Sequence, residues 1–237
     1  MLELSHVSIH FGGLAAVQDV TLTVPAGQIT SLIGPNGAGK TTLFNIIAGS
    51  LKPTSGTISF LGIDISGKAP YEICQLGIAR TYQLRNVFPS LSVYDNIRAG
   101  LLKERRCKEE EQQERIDEIL ELMGLEEKAN HPVDSLAPLE VKFVELGRAL
   151  ATKPRLLLLD EILGGLIGPE TLRICEVVEE LRSKGNSILQ IGHEIRPIMR
   201  TSDLIYVFNE GRKVAEGTPA SIGRNEDVLR IYLDVED

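Results

Sequence analysis

A glycine-rich stretch near the N-terminus constrains the fold of this chain more than any other feature. Residues 34–42 read GPNGAGKTT, which matches the pattern G-x-x-x-x-G-K-[ST]. The apolar residues before it, Gln28 to Ile33, predict a buried strand, and Thr41 to Ala48 are apolar at helical spacing, with Gly49 as a stop. Strand, glycine loop and helix, in this order, form the context in which the motif wraps a phosphate group. At average residue usage, a chance match in a chain this long has odds of roughly 1%.

The chemistry of the loop follows from its residue types. Glycines at 34, 37 and 39 can adopt backbone angles that side chains forbid, so successive N–H groups can curl around a phosphate. The N-terminus of the following helix adds partial positive charge. We expect Lys40 to reach the β- and γ-phosphates of a nucleotide, and the Thr41 hydroxyl to bind Mg²⁺.

Composition argues against several classes of protein. The chain has 237 residues, 43% of them hydrophobic, and a net charge of -8, which argues against general nucleic-acid binding. Three widely separated cysteines predict neither a disulfide framework nor a zinc site, and free thiols suggest the cytoplasm. Neither a signal peptide nor a membrane-spanning stretch is visible, so we expect any membrane role to be peripheral.

A second informative stretch lies in the second half of the chain. Four consecutive leucines, residues 156–159, predict a strand buried on both faces of a parallel sheet, and Asp160 and Glu161 follow directly. Ligands bind at this end of such sheets, so the first acid can hold Mg²⁺ and the second can align or deprotonate water. The alternative is an acidic helix N-terminus stabilised by the helix dipole. The glycine loop upstream favours the functional interpretation.

Three further residues draw attention only through their positions. His193 lies just after the predicted strand Ser187–Ile191, on the same sheet edge as Asp160, where it can contact phosphate. A single histidine after a strand is usually structural, however. Phe11 could offer its face to an adenine ring, but its spacing alone favours an ordinary core aromatic beside a turn. Gln83 taken by itself is typical of a surface amide.

Residues 91–149 predict helices rather than strands. Ser92 is a candidate N-cap with Asp95 three residues on, and an amphipathic helix ending at Gly124 follows a charged run. A second helix begins at the segment Leu136–Glu140. We therefore predict an α/β fold with an inserted α-helical subdomain.

The division of the chain follows from this pattern. The α/β core is predicted to comprise residues 1–90 and 150–237, with an antiparallel β edge. The helical subdomain is predicted to span about residues 91–149. Together they are expected to form one domain over residues 1–237.

The motifs, in this order, resemble those of the ATP-binding subunit of ABC transporters. The resemblance covers about residues 2–235, essentially the whole chain. The stretches FGGL at 11–14, GIARTYQ at 77–83 and EGRKVAEGTP at 210–219 are most similar to the branched-chain amino-acid uptake type. The resemblance implies a P-loop, RecA-like ATPase core that binds ATP and Mg²⁺.

The resemblance also implies roles for particular residues. Phe11 corresponds to the aromatic residue that stacks on adenine, which reverses the preference from spacing. Gln83 corresponds to the glutamine that touches Mg²⁺ and the attacking water. Asp160 matches the Walker B aspartate, Glu161 the catalytic glutamate and His193 the histidine that contacts the γ-phosphate. The implied nucleotide-binding residues are Phe11, Asn36, Gly37, Ala38, Gly39, Lys40, Thr41 and Thr42. The implied catalytic residues are Glu161, His193, Gln83 and Lys40, and the implied metal ligands are Thr41, Gln83 and Asp160.

Two segments depart from the family pattern. The family signature Leu-Ser-Gly-Gly-Gln aligns with residues 136–140, LAPLE, which lack the serine hydroxyl and both glycines. Ile167 stands where a polar Asn or Asp is typical, and Ile162 replaces the proline that usually follows the glutamate. These changes leave nucleotide binding by this chain intact, but they affect what it contributes to a partner's ATP site.

The resemblance implies an ATPase subunit that energises an importer of branched-chain amino acids or a related solute. The implied partners are membrane-spanning permease subunits, facing the region from Arg85 to Asp95, and a second ATP-binding subunit, identical or different. The resemblance also implies indirect participation of a periplasmic or extracellular solute-binding protein, no nucleic-acid partner, and a peripheral location at the cytoplasmic face of the membrane. The alternatives are a non-transport ABC ATPase and a nucleotide-binding regulatory subunit with weak hydrolysis.

Overall fold

The computed structural model describes residues 1–81, 87–101 and 108–233, with side chains as far as residue 231. Its strands are β1 (Leu2–Phe11), β2 (Leu14–Val24), β3 (Ile29–Ile33), β4 (Ser55–Phe60), β5 (Ile63–Asp64), β6 (Ile78–Arg80), β7 (Leu156–Asp160), β8 (Ser187–Ile191), β9 (Leu204–Asn209) and β10 (Arg212–Gly217). Its α-helices are α1 (Lys40–Ile47), α2 (Pro70–Leu76), α3 (Val93–Ala99), α4 (Glu109–Met123), α5 (Pro138–Ala151), α6 (Pro169–Ser183), α7 (Ile195–Thr201), α8 (Pro219–Ile222) and α9 (Glu226–Leu233).

A six-stranded sheet in the order β10-β9-β3-β8-β7-β6 forms the centre of the fold. Strands β9, β3, β8, β7 and β6 pair in parallel, and β10 pairs antiparallel with β9 at one edge. Because parallel strands end at the same edge of a sheet, the residues that follow β3, β7 and β8 meet there. The predicted α/β fold with an antiparallel β edge is confirmed.

Both faces of this sheet are covered, as the run of leucines in β7 predicts. Leu157 and Leu159 belong to a core cluster with residues of α5 and α6. Leu156 and Leu158 belong to a second cluster, which contains α1 and residues of the antiparallel strands. Side chains alternate between the two faces of a strand, so a strand between two apolar layers needs apolar residues at every position.

The second sheet is antiparallel, with the order β2-β1-β4-β5. The apolar alternation of β1 changes phase between Leu4 and Val7, and the pairing with β2 shifts register at the same place. His6 there has φ 52°, and Asp19 on β2 has φ 50°. A β-bulge thus keeps one long strand in place where the residue pattern shows two short alternations.

Helices α3, α4 and α5 pack against one another beside the central sheet. Ser92 caps α3, because its side chain accepts a 3.0 Å hydrogen bond from the backbone N–H of Asp95, as predicted. A Cβ on Gly147 of α5 would lie 2.9 Å from the Ile119 side chain of α4, so glycine permits this close packing. Division of the chain at about residues 91 and 149 remains a prediction. Within the described residues, no helix combines the length and the apolar character needed to cross a membrane.

Candidate nucleotide-binding and catalytic site

The loop between β3 and α1 passes very close to two neighbouring backbones. Gly34 has φ 148°, and a Cβ there would lie 2.1 Å from the carbonyl oxygen of Phe208 in β9. Gly39 has φ 96°, and a Cβ there would lie 2.5 Å from the carbonyl oxygen of Ala16 in β2. Both positions require glycine for space as well as for backbone angle. The loop is therefore held between the two sheets.

Hydrogen bonds join this loop to β2 and to the turn between β9 and β10. The backbone N–H of Gly211 donates to the carbonyl of Ala38 at 3.1 Å, and the N–H of Gln18 donates to the carbonyl of Gly211 at 2.8 Å. The Arg212 guanidinium donates to the Gln18 side-chain oxygen at 2.8 Å. These contacts fix the loop conformation from residues that are distant along the chain.

Lys40 is the first residue of α1, and its side chain folds back over the loop. Its Nζ donates to the carbonyls of Gly34 at 2.7 Å and Pro35 at 2.8 Å. Burial lowers the pKa of the Lys40 ammonium group, and the negative charge of Glu161 acts in the opposite direction. An ammonium group has three donors, and two are used by the part of the chain that the structure describes, which leaves one for a phosphate oxygen.

A cavity of about 640 Å³, here called the loop cavity, lies over residues 36–42. All the predicted nucleotide-binding residues line it, and Glu161 lies in the same wall. Phe11 also lines the cavity and is 49% exposed, so its interpretation as an ordinary core aromatic is wrong. The cavity thus combines an aromatic wall with a loop of backbone donors and one ammonium group.

Asp160 ends β7 and is almost completely buried, with 2% exposure. Its Oδ2 accepts a 2.6 Å hydrogen bond from Nη2 of Arg80, and its backbone N–H donates to Oγ1 of Thr81 at 3.2 Å. Its Oδ1 has no hydrogen-bond partner within the described residues. Since buried polar atoms are nearly always partnered, this oxygen is a candidate ligand atom for a metal ion.

The residues present fit a magnesium ion at this place. The Oδ1 atom of Asp160 and the hydroxyl of Thr41, a residue that lines the loop cavity, are both oxygen ligands of the kind that Mg²⁺ prefers. Among the described residues, no group of three or more His, Cys, Asp and Glu side chains could hold a metal ion. Mg²⁺ typically takes only one or two carboxylates and completes its shell with water and phosphate oxygens, so a larger cluster is not needed.

Glu161 follows Asp160 in a left-handed backbone conformation, with φ 48°. Its N–H donates to the carbonyl of Ile191 in β8 at 3.1 Å. Residue 161 also lines a second cavity of about 330 Å³. A residue other than glycine keeps this conformation only where the surrounding structure holds it, and the hydrogen bond to β8 does so here.

The other predicted catalytic residues are placed differently. His193 lies exposed after β8, and its ring carbon Cε1 would be 3.8 Å from a Cβ on Gly164, three residues beyond Glu161. His193 and Glu161 are therefore at the same sheet edge. Gln83 lies outside the described residues. The region from Arg85 to Asp95 is described from residue 87 onward.

The segment that aligns with the family signature forms the start of α5. Ala137 is the N-cap and Pro138 the first helical residue. Glu140 accepts a hydrogen bond from the N–H of Ala137 at 3.0 Å and one from Nζ of Lys128 at 2.5 Å. Burial acts to raise the pKa of Glu140, but the Lys128 ion pair and the Ala137 hydrogen bond outweigh it and lower the pKa.

Pro138 lies within reach of the acidic strand end, because it lines the second cavity together with Asp160 and Glu161. Of the two other departures, Ile162 is buried at 6% exposure and Ile167 is 76% exposed. A buried isoleucine after the acidic pair is an ordinary core residue. Because Ile167 keeps most of its surface in water, its side chain contributes little hydrophobic stabilisation to the folding of this chain.

Two side chains at the site, Arg80 and Asn45, were not identified from the sequence. The Arg80 guanidinium donates to the Asn45 side-chain oxygen at 2.7 Å and to the Asp160 carboxylate at 2.6 Å. The available signal is a charged arginine directly after the apolar residues Ile78 and Ala79, and β6 ends at that arginine, at the sheet edge where ligands bind. Asn45 carries no signal, because a polar residue on an amphipathic helix is usually solvated.

Comparisons with known proteins cover nearly the whole chain. Residues 17–164 match the family model described as ABC transporter. The chain is 39% identical to the high-affinity branched-chain amino acid transport ATP-binding protein LivG of Salmonella typhimurium, over 98% of this chain and 97% of LivG. It is 35% identical to the lipopolysaccharide export system ATP-binding protein LptB of Escherichia coli, over 98% and 96%.

Solved structures are similar over the same length. The ADP conformation of MJ1267, an ATP-binding cassette of an ABC transporter, has a TM-score of 0.90 and 32% identity, covering 98% of each chain. A dimeric structure of the bacterial ABC transporter cassette MJ0796 has a TM-score of 0.82 and 27% identity, covering 92% of this chain and 99% of that one. The identities and the coverage place this chain with ATP-binding cassettes in sequence and in fold.

Proposed function

This chain belongs to the ABC transporter family, and we propose that it is the ATP-hydrolysing subunit of an importer for branched-chain amino acids or a related solute. The observation that carries the proposal is the 39% identity to LivG across 98% of the chain. The chain is less similar to LptB, at 35%, and that protein's name describes an export system. Import of amino acids is therefore the favoured direction and cargo.

ATP binding is proposed to use the loop cavity. Phe11 offers an aromatic face to the adenine ring from the cavity wall, and the backbone N–H groups of the loop and the N-terminus of α1 bind the phosphates. Lys40 adds a cation whose desolvation strengthens its attraction for phosphate. In this arrangement the triphosphate end lies toward Glu161 at the carboxyl edge of the sheet.

Hydrolysis is proposed to proceed by in-line attack of water on the γ-phosphate, with Glu161 as the general base. Lys40 stabilises the negative charge that develops on the transferring phosphoryl group, and His193 donates a hydrogen bond to it. Mg²⁺, when bound, would supply further neutralisation of the phosphate charge, and Asp160 and Thr41 are the residues that would hold it. Gln83 is proposed to contact the metal and the attacking water, as the family resemblance implies.

Assembly is proposed to follow the ABC pattern. Two ATP-binding subunits would form a head-to-tail dimer around two ATP molecules, which is supported by the dimeric structure of the related cassette MJ0796. The dimer would bind permease subunits at the cytoplasmic face of the membrane, and a solute-binding protein would deliver the cargo from the other side. Closing and reopening of the dimer would switch the permease between its inward-facing and outward-facing states.

A second candidate is a nucleotide-binding regulatory subunit with weak hydrolysis. The start of α5 favours it, because Pro138 has no N–H to donate and Ala137 has no hydroxyl. Both residues would face the partner's ATP in the proposed dimer, where neither could donate these hydrogen bonds. This candidate retains the same nucleotide site and differs only in the rate at which the assembled dimer turns over.

The proposal is tested with the complex that forms in native membranes. The chain is tagged, its membrane partners are co-purified and identified by mass spectrometry, and the complex is reconstituted in proteoliposomes with ATP. We expect ATP-dependent uptake of radiolabelled leucine, isoleucine or valine, and no uptake with the Glu161→Gln variant. Stimulated ATP hydrolysis without transport of any of the three amino acids would reject the cargo, and binding without hydrolysis would favour the regulatory subunit.

A further inference from the structure

Arg80 joins the two parts of the chain that carry the proposed metal ligands. It is the last residue of β6, and its side chain is 8% exposed. Nη2 donates to Oδ2 of Asp160 at 2.6 Å, and Nη1 donates to Oδ1 of Asn45 at 2.7 Å. Asp160 ends β7, whereas Asn45 belongs to α1, the helix that begins directly after the glycine loop. One guanidinium therefore bridges the acidic strand and the phosphate-binding helix.

The guanidinium is also held from its face. Its central carbon lies 5.8 Å from the ring centroid of Phe44, a fully buried residue of α1. A planar guanidinium with donors in a fixed fork, packed on an aromatic ring, has little freedom to rotate. Asp160 Oδ2 is thereby fixed in direction, and Oδ1 of the same carboxylate is the oxygen that has no partner within the described residues.

Stability alone is a poor explanation for this bridge. A buried ion pair loses the hydration of both charges, and well-packed apolar residues of similar volume are often as stable or more stable. Metal-binding carboxylates, in contrast, are usually hydrogen-bonded by a neighbouring group that sets their orientation. The bridge between Asn45 and Asp160 has this form, because one carboxylate oxygen is occupied and the other remains available.

We propose that Arg80 is a positioning residue for the metal ion of the nucleotide site. It holds Asp160 so that Oδ1 faces the cation, and through Asn45 it keeps α1, which carries Thr41, at a set distance from β7. The proposal rests on the magnesium site put forward under the proposed function. The rival role is that of a counterion, in which the guanidinium would compete with the metal for Asp160.

The two roles predict opposite shifts in the Mg²⁺ concentration that gives half-maximal enhancement of ADP binding. ADP binding is measured by calorimetry across a Mg²⁺ titration and in EDTA, so that no hydrolysis takes place. In Arg80→Lys, which keeps the charge and loses the fork, we expect the Mg²⁺ concentration for half-maximal enhancement to rise about 10- to 100-fold. Asn45→Ala, which leaves the Asp160 contact and removes the other anchor, should raise it by a smaller factor. ADP affinity in EDTA should not change in either variant.

Two control variants separate positioning from general effects. Asp160→Asn should remove the Mg²⁺ enhancement altogether. Arg182→Lys weakens another Arg–Asp pair, the 2.7 Å contact with Asp203, and should leave the Mg²⁺ dependence at the wild-type value. Thermal melting checks that each variant folds, and Asn45→Ala decides the question if Arg80→Lys does not fold.

Each outcome supports or overturns the inference. A lower half-maximal Mg²⁺ concentration in the Arg80 and Asn45 variants would show that the guanidinium competes with the cation. An unchanged value would show that the bridge is only structural, and either result overturns the inference while leaving the metal site intact. If the wild type and Asp160→Asn respond to Mg²⁺ alike, the proposed metal site fails and the inference fails with it.

Discussion

At the scale of single residues, the candidate site contains two buried side chains of opposite charge. Lys40 is 6% exposed and Asp160 is 2% exposed. Each is held by hydrogen bonds that, within the described residues, leave one group without a partner: one donor of the ammonium group and one oxygen of the carboxylate. Charges in a low-dielectric setting attract ligands more strongly than charges in water, so substitutions here should have large effects.

Replacing Lys40 by alanine should weaken ATP binding strongly. The variant loses the ammonium group that is expected to hydrogen-bond to phosphate, a contribution of about 1.5–3 kcal/mol, or roughly 10- to 150-fold in the dissociation constant. Calorimetry with ATP measures the effect. Lys52→Ala, which removes an exposed lysine, is the matched control. Equal ATP affinity in wild type and Lys40→Ala would contradict the assignment of the loop.

Replacing Glu161 by glutamine should abolish hydrolysis and preserve binding. The amide keeps the shape of the carboxylate but cannot accept a proton, and a general base typically contributes about 10²- to 10⁴-fold in rate. The variant should accumulate as an ATP-bound dimer, which size-exclusion chromatography detects. Glu210→Gln removes another acid from the wall of the loop cavity and should retain turnover. Wild-type turnover of Glu161→Gln in the reconstituted complex would exclude Glu161 as the base.

At the scale of elements, the start of α5 is stabilised by a side chain that reaches back to it. Ala137 cannot cap the helix with its methyl group, so Glu140 accepts the hydrogen bond of the Ala137 N–H and pairs with Lys128. The ion pair also connects α5 to the short 3-10 turn Glu126–Lys128. This arrangement keeps the helix start in place although the sequence has none of the usual capping residues there.

The Glu140 ion pair should make stability depend on pH. Because the pKa of Glu140 is lowered in the folded protein, its contribution is present above the ordinary glutamate value of 4.5 and is lost as the pH falls through the folded value. Glu140→Gln should lower the free energy of unfolding at pH 7 by about 0.5–1 kcal/mol. The decrease of this free energy on acidification should also be smaller in the variant. Urea unfolding across pH measures it, with the exposed Glu127→Gln as control. An equal loss of unfolding free energy at acid pH in wild type and Glu140→Gln would contradict a stabilising role for the Glu140 ion pair.

At the scale of the whole molecule, the two ATP sites of the proposed dimer would differ, because this chain has a complete nucleotide site but contributes an altered signature segment to its partner's site. This chain's own nucleotide cavity has the complete loop, and its acidic strand end is intact. Its contribution to a partner's site begins at Ala137, Pro138 and Leu139, which lack the hydroxyl and the close glycine amide. We therefore expect fast hydrolysis at this chain's own site when a different partner with an intact signature caps it, and slow hydrolysis at the partner's site.

Restoring the signature should raise the rate of the slow site. Loss of one charge-stabilising donor typically costs about 3 kcal/mol, or roughly a hundredfold in rate. The combined variant Ala137→Ser, Pro138→Gly and Leu139→Gly should therefore speed hydrolysis per site in the assembled complex by up to about this factor. The same variant with Glu161→Gln shows which site responds. A homodimer of the unmodified chain that already hydrolyses ATP at a typical transporter rate would refute the asymmetry.

The sequence by itself determined the elements and motifs whose causes are local. Residues 34–42 specify a glycine loop through their own backbone freedom, the four leucines of β7 predict burial on both faces, and Ser92 caps the helix that starts beside it. Each of these depends on residues within a few positions along the chain. Local sterics and hydrogen bonds act at that range, so the pattern of residues is sufficient to predict them.

Only the tertiary structure decided which distant residues meet. Arg80 and Asp160 are 80 positions apart, and the guanidinium reaches the carboxylate because β6 lies next to β7 in the sheet. Residue 34 has to be glycine because the carbonyl oxygen of Phe208 lies 2.1 Å from where a Cβ would be. Phe11 is exposed because the β1–β2 hairpin places it in a cavity wall instead of the core. Strand order and the packing of sheets set these contacts, and hydrophobic spacing along the chain carries no information about either.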